Sequence, residues 1–263
     1  MTGVVKVKHS SPFKANWWGR FGWVLAILYA IYAANFLDVS WTRFVAGLGN
    51  GADFLSEMIP PNFTRWQLLL GNLLETVQMA VIASVFGILC SLPIGLCAAR
   101  NLLPNWVTWP FRTFIALCRS FHPVIIAILF VKAVGFGPLA GILTLVLASI
   151  GFIGKLFAEA IEEISMKPLE ALRASGAPFS SVIVYGVLPQ VLNRFIGFSS
   201  YQFDVNLRNS TMVGIVGAGG VGGTLFAAFQ RFDYDFLAAI LLSIIALVMM
   251  SEFMSVQIKK VFQ

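Results

Sequence analysis

The sequence predicts an all-α integral membrane protein with about six transmembrane helices. Three observations lead there. Apolar residues make up 58% of the 263 and charged residues only 11%, against about 25% charged in ordinary soluble domains. Apolar runs of roughly 20 residues, the length that crosses a bilayer core, recur along the chain. Lys and Arg concentrate in alternate connecting segments, as positive-inside orientation requires. A chain with mean hydropathy +0.84 cannot cover a globular surface with polar groups. A soluble enzyme, a disordered regulator and a collagen-like chain are therefore disfavoured.

The first expected span is Phe21 to Leu37, with Trp17, Trp18 and Trp23 as interface anchors. The basic start, Lys6, Lys8, Lys14 and Arg20, resembles a leader sequence, but no small-residue cleavage site follows cleanly. The run is expected to be a retained span. A mixed stretch to Leu69, with the turn signal Pro60-Pro61-Asn62, reads as an external loop carrying a short surface helix. The second span runs from Leu73 to Ala99 and is closed by Arg100. Trp106 to Ser120 contains Pro110, Arg112 and Arg119, an unfavourable set for the lipid midplane. It reads as an inner-surface segment that bends at Pro123 into a short apolar helix ending at Val134. Gly135-Phe136-Gly137-Pro138 makes a turn, and Leu139 to Phe157 is the fourth span. The fifth is Ser181 to Phe203, followed by a polar, then glycine-rich, interval from Asp204 to Arg231. Phe236 to Val256 is the sixth, followed by Lys259 and Lys260. Arg100, Arg112, Lys155, Lys167 and Arg173 then share a side with the basic ends, so both termini are expected inside. Residues 1–69 form a tail, first span and loop, and residues 70–263 the core.

The net charge of +6 is dispersed rather than packed into a basic tract, which argues against nucleic acid. Cys90, Cys97 and Cys118 lack metal-site spacing and read as small apolar side chains. His9 and His122 stand alone. Gly217-Ala218-Gly219-Gly220-Val221-Gly222 has dinucleotide-loop spacing, but no multi-stranded sheet accompanies it. Close helix packing or a re-entrant turn near a gate is the expected use of these glycines. Gly154-Lys155-Leu156 lacks the upstream glycine and the Ser/Thr of a phosphate-binding loop. The chain is expected to bind no cofactor and to be no enzyme.

The informative segment is 159–178. Pro168 can open a helix, and Leu169 to Ser175 is a good helical run with Leu169, Ala171 and Leu172 as its apolar face. Glu170 and Arg173 stand at i,i+3 on a polar side. Gly176 stops the helix and Pro178 prevents its continuation. The residues alone leave two readings open: a docking helix for a partner, or a charged loop that solvates a connection.

Glu170-Ala171-Leu172, Gly176 and Leu188-Pro189 resemble the EAA motif of ABC importer membrane subunits. That motif reads EAA, three residues, Gly, nine residues, Ile, one residue, Leu-Pro. Leu172 stands for its second Ala and Gly186 for its Ile, and the spacings are kept. Further stretches are similar to the permease of phosphonate importers: Pro60-Pro61-Asn62-Phe63, Gly135 to Gly141, Gly154 to Glu162, Pro189 to Leu192, and Tyr201 to Arg208 running into Gly217 to Gly222. Gln202 and Asp204 stand where that subfamily usually has Arg and Glu, which leaves room for phosphite, hypophosphite or phosphate.

The resemblance implies a type I ABC importer permease in the bacterial inner membrane, with the short helix as coupling helix. It implies a second copy of the chain, two cytoplasmic ATP-binding subunits carrying ATP and Mg, an external solute-binding protein and surrounding membrane lipid. Glu163, Pro168 to Arg173 and Gly176 would couple to the ATPase. Glu75, Tyr201, Asp204, Asn206, Arg208, Gly217, Gly219, Gly220 and Gly222 are candidates for the pathway or gate. Asp204 and Arg208, at i,i+4, are expected to form an ion pair within the bundle; Arg208 alternatively faces the oxyanion or the binding protein, with Glu75 as another possible partner. An ion-coupled secondary transporter would show a repeated broken helix, which the sequence lacks. A non-conducting scaffold would use 159–176 and carry no solute.

Overall fold

The apolar runs become helices in the expected order. The computed structural model describes residues 17–37 and 40–262, with side chains as far as Gln257. His9, Asp38 and the lysines at 6, 8, 14, 259 and 260 lie outside the residues or side chains described. The helices are α1 Trp17–Phe36, α2 Trp41–Glu57, α3 Trp66–Ala98, α4 Asn105–Ser120, α5 Pro123–Val134, α6 Pro138–Glu162 and α7 Lys167–Ala174. They continue with α8 Phe179–Ile215, α9 Val221–Gln230 and α10 Tyr234–Phe262. Four of these, α3, α6, α8 and α10, are long and apolar enough to span a membrane, and the count rises to six if α1 with α2 and α4 with α5 are each one bent span.

The chain divides into two units between Ser56 and Glu57. In the first, α1 exposes its apolar side chains all round, Trp17, Trp18 and Trp23 among them. A helix, α2, 17 residues long, lies within the stretch expected to carry a short one.

In the second unit the pairing of α3 with α6 is the most extensive. Gly87 and Gly95 on α3 let α6 approach. A Cβ on Gly87 would stand 2.4 Å from the Ser149 Cβ, and one on Gly95 2.8 Å from the Phe157 ring. Small residues permit such backbone proximity in lipid, where water cannot drive helices together.

One expectation of the fold is corrected, the extent of the fifth span. The segment 105–120 forms α4. It packs alongside α6, with Arg112 on Glu162 at 2.7 Å and Ile115 and Cys118 over Gly154 and Gly151. The bend comes where expected: α5 turns 93° from α4, and the Pro123 ring begins α5 under the His122 cap. The correction concerns α8, which runs to Ile215, well beyond Phe203. Residues 204–215 looked like a loop because they are polar, yet that polarity is bonded inside the bundle. Val182–Val187 is π-helical just ahead of Pro189, where a proline removes one N–H and crowds the carbonyl four residues back.

Candidate functional site

The short helix lies where the residues place it. Gly176 adopts φ +79°, and the N–H groups of Gly176 and Ala177 donate to the carbonyls of Arg173 and Leu172 at 3.0 and 3.1 Å. This pair of bonds is a Schellman stop, which needs a left-handed residue that glycine supplies at least cost. Leu169 is fully buried with Phe157, Ile161, Val182 and Val187, so α7 is pinned to α6 and α8 by one leucine. Burial of that side chain is worth about 2 kcal/mol. Pro168, Glu170, Ala171 and Arg173 remain exposed, which leaves a polar face free at this end of the bundle.

The two departures from the EAA pattern meet in space. A Cβ on Gly186 would lie 3.2 Å from the Leu172 Cδ1 and 3.3 Å from the Leu169 Cδ1. The larger residue on α7 therefore sits over the missing side chain on α8, and Gly186, inside the widened π-helical turn, is its seat.

The connection into α7 is held from α8. The Gln190 amide accepts from the Ser165 N–H at 3.0 Å and donates to its carbonyl at 3.3 Å. It also donates to the Gly186 carbonyl at 2.7 Å. Glu163 pairs with Arg194. On the other side Glu162 receives both Arg112 and the Arg100 N–H, at 2.7 and 2.9 Å. Of these residues only Glu163 was expected to couple; Glu162 and Gln190 fell within the stretches similar to phosphonate permeases but were given no role, and Arg112 was read only as a cation unfavourable for the midplane.

The glycine turn occupies the opposite end of α6. Glu75 and Thr76 of α3 accept the N–H groups of Gly220 and Val221 at 3.1 and 2.8 Å, capping α9. Gly219 has φ +87°, and a Cβ there would stand 2.7 Å from the Glu75 carboxylate. A Cβ on Gly217 would meet the Phe136 ring at 2.4 Å, and one on Gly222 the Thr211 carbonyl at 1.9 Å. The expected close packing is found, with Glu75 built into it. Beside the turn, Arg65 pairs with Asp233 at 2.7 Å and covers the Phe236 ring at 4.7 Å.

The remaining pathway candidates do not converge. Asp204 is not ion-paired with Arg208. Its carboxylate accepts from Ser251 and Ser255 of α10 at 3.2 and 2.9 Å. Arg208 is exposed and reaches back only to the Asp204 carbonyl, at 3.4 Å. Nor does Glu75 meet Arg208, since Glu75 is occupied by Gly220. Helical spacing put the pair on one face, but the serines one turn apart on α10 compete for the same acid. Tyr201 packs on Phe152 at 5.7 Å. Asn206 is fully buried and donates to Ser84 and Ser149, both at 2.9 Å, while accepting from Gln202 at 2.9 Å. This knot joins α3, α6 and α8. In it the buried Gln202 Oε1 has no partner. Among the described residues no group of three or more His, Cys, Asp or Glu side chains could hold a metal ion.

The fold is that of a solved transporter. The permease of the MetNI methionine ABC transporter in its inward-facing form superposes with a TM-score of 0.68 at 23% identity, over 77% of this chain and 99% of that one. Among curated proteins, the phosphite transport system permease protein PtxC of Stutzerimonas stutzeri is 36% identical over 95% of this chain and 92% of its own length. The phosphate-import permease protein PhnE of Mycolicibacterium smegmatis is 42% identical over 76% of this chain and 38% of its own length. Residues 91–261 match the family model described as the binding-protein-dependent transport system inner membrane component. That match covers α4 to α10, and this multi-pass inner-membrane protein belongs to that family of ABC importer permeases.

Proposed function

We propose that this chain carries a phosphorus oxyanion, a phosphonate or phosphite in the first instance, through the membrane half of an ATP-driven importer. Support for the solute class comes from the relatives, whose names specify phosphite, phosphate and phosphonate permeases. The observation that carries the coupling is α7: one buried leucine anchors it, its polar face is free, and Gln190 ties its leading loop to α8. A helix held in this way can rest in a groove of a partner and pass its displacement to the spans.

In this reading two copies of the chain line the pathway, with both termini cytoplasmic. Two partner subunits bind ATP and Mg beneath them, and an external protein delivers the solute. Closure of the ATP-bound pair pulls on α7 of each copy, tilts α8 and opens the cavity outward. Hydrolysis resets it. The permease itself performs no covalent chemistry, consistent with a chain that has no nucleotide-binding motif. Arg208, exposed and without a carboxylate partner among the described residues, offers a planar donor fork to a passing oxyanion. Because it lacks a built pocket, it would hold the load weakly enough to release it.

The test is ATP hydrolysis by the complete complex in lipid vesicles, with methylphosphonate, 2-aminoethylphosphonate, phosphite, hypophosphite and phosphate supplied one at a time. Several-fold stimulation by one of them, lost in Glu170→Lys without loss of membrane insertion, is expected. An intact complex whose binding protein holds one of these ions, yet whose hydrolysis ignores all of them, would overturn the oxyanion reading.

A further inference from the structure

One flank of α4 carries a basic groove that neither the coupling helix nor the glycine turn uses. Asn105, Thr108, Arg112, Ile115 and Arg119 recur at helical spacing along it. Two cavities open there. The first, of about 660 Å³, lies against Arg100, Asn105, Trp106, Thr108, Trp109 and Arg112. The second, of about 290 Å³, continues from Arg112 to Arg119 and Lys155 over a floor of Ala98, Ile115, Ala116 and Ala158. Four cations thus line one groove. Arg112 is matched by Glu162 and Lys155 by Glu159, at 2.7 and 3.3 Å. The guanidinium of Arg119 has no carboxylate partner among the described residues, and that of Arg100 makes no ion pair of its own there, although Glu162 lies within reach of its charge.

Trp106 and Trp109 border the groove, 80% and 71% exposed. Tryptophans of that exposure suit the headgroup level of a bilayer, where the ring has an apolar body and a polar edge. The groove opens at the α7 end, because Arg100 and Arg112 both bind the terminus of α6 that leads into α7. The Arg119 stem runs up past Gly151, its Cγ 2.9 Å from where a Cβ would stand there. Arg119 thus stands farther from the α7 end than Arg112 and lines the same cavity as Arg112 and Lys155.

We propose that this flank of α4 is a binding site for the phosphate headgroup of an anionic phospholipid of the inner leaflet. The leaflet assignment rests on the reading of α7 as the cytoplasmic coupling helix. The unmatched guanidinium groups take the phosphate oxygens in bidentate fashion, the tryptophans flank the glycerol level, and the alanine and isoleucine floor receives the first methylenes of a chain. A bound lipid bears on Arg100 and Arg112, the two residues that hold Glu162 ahead of α7. Free phosphate offers the same oxygens but no chain for the apolar floor.

The test uses the complete complex in nanodiscs of phosphatidylcholine alone or mixed with phosphatidylglycerol. Retained lipid is counted by native mass spectrometry and preference is measured with spin-labelled lipids. Wild-type protein is expected to prefer phosphatidylglycerol, and Arg119→Gln with Lys155→Gln to reduce that preference about thirtyfold, since each of the two basic groups contributes roughly one kcal/mol at a charged surface. Glutamine keeps the Cβ and Cγ that pack by Gly151, and Arg119→Lys, which keeps the charge, should retain most of the preference. Equal retention of both lipids by the wild type overturns the proposal. So does binding of inorganic phosphate to the delipidated complex that the double variant loses, without any lipid preference, which would assign the groove to solute. Loss of ATPase subunits from the variant without any lipid preference would assign it to the partner. The lipid readout needs no transport, so its failure and that of the importer reading are separable.

Discussion

Leu172 and Gly186 show how a pair of residues can carry one structural decision. Each departs from the EAA pattern in size, in opposite directions, and the larger one fills the space the smaller one leaves. Gly186→Ile would place branched carbons where Leu169 and Leu172 already stand within about 3.3 Å of a Cβ position. Overpacking of this kind costs roughly 1–3 kcal/mol, and here the cost falls on the seat of α7. We expect solute-stimulated ATP hydrolysis to fall about tenfold in Gly186→Ile, with subunit yield reduced. Leu172→Ala in the same chain should restore most of it by recreating the alanine–isoleucine arrangement. Hydrolysis and co-purification measured on the single and double variants decide the matter: a double variant no better than Gly186→Ile would show that the two positions are independent.

At the level of elements, what the sequence disclosed followed from how local the cause was. The short helix α7 was legible because Pro168 and Gly176 act on their own turn of chain. The break between α4 and α5 was legible for the same reason, at Pro123. The extension of α8 was not. Gln202, Asp204 and Asn206 read as loop residues until Ser84, Ser149, Ser251 and Ser255 are placed beside them, and those partners are far away in sequence. Arg208 was paired with Asp204 on spacing alone, although serines of α10 held the acid. The glycines of α3 were ambiguous in the same way, since a pattern of small residues does not say which of them faces a neighbour. The structure sorts them, and the sorting predicts an order. Gly71 has nothing within 4 Å of a Cβ, Gly95 meets the Phe157 ring at 2.8 Å, and Gly87 meets the Ser149 Cβ at 2.4 Å. Gly71→Ala should leave stability unchanged or raise it by up to about 1 kcal/mol through helix propensity. Gly95→Ala should cost about 1 kcal/mol, because a ring can turn aside. Gly87→Ala should cost about 2–3 kcal/mol, because Ser149 is held in the buried knot. Thermal melting of the three variants in one detergent tests this, and a Gly87→Ala protein as stable as Gly71→Ala would mean that α3 and α6 are not apposed along this seam.

Across the whole molecule, the question is how a displacement at α7 could be felt at the glycine turn. The connecting element is α8, 37 residues long and so roughly 55 Å from end to end at helical rise. Near α7 it is grasped by Gln190 on Ser165. About three-quarters of the way along, it is fixed to α3 and α6 by Asn206 and to α10 by Asp204. At its far end Gly214 packs against the Gly219 carbonyl, which a Cβ would approach to 2.4 Å. A rod held at a point along its length and gripped near both ends converts a push at one end into a tilt at the other. A slack grip would waste the push. Gln190→Ala removes three hydrogen bonds at the driven end while leaving Leu169 buried, so α7 remains seated and assembly should survive. The stability loss should be about 1–2 kcal/mol, since the affected groups lie at the surface or partly exposed. Coupling should suffer more than stability. In vesicles where solute uptake and ATP hydrolysis are measured together, hydrolysis should persist at near wild-type rate while solute carried per ATP falls several-fold. Gln190→Glu, which keeps an acceptor for the Ser165 N–H but loses both donors, should fall between the two. If uptake and hydrolysis decline in parallel, the glutamine is only a structural cap, and the push must travel through the Leu169 and Leu172 contacts.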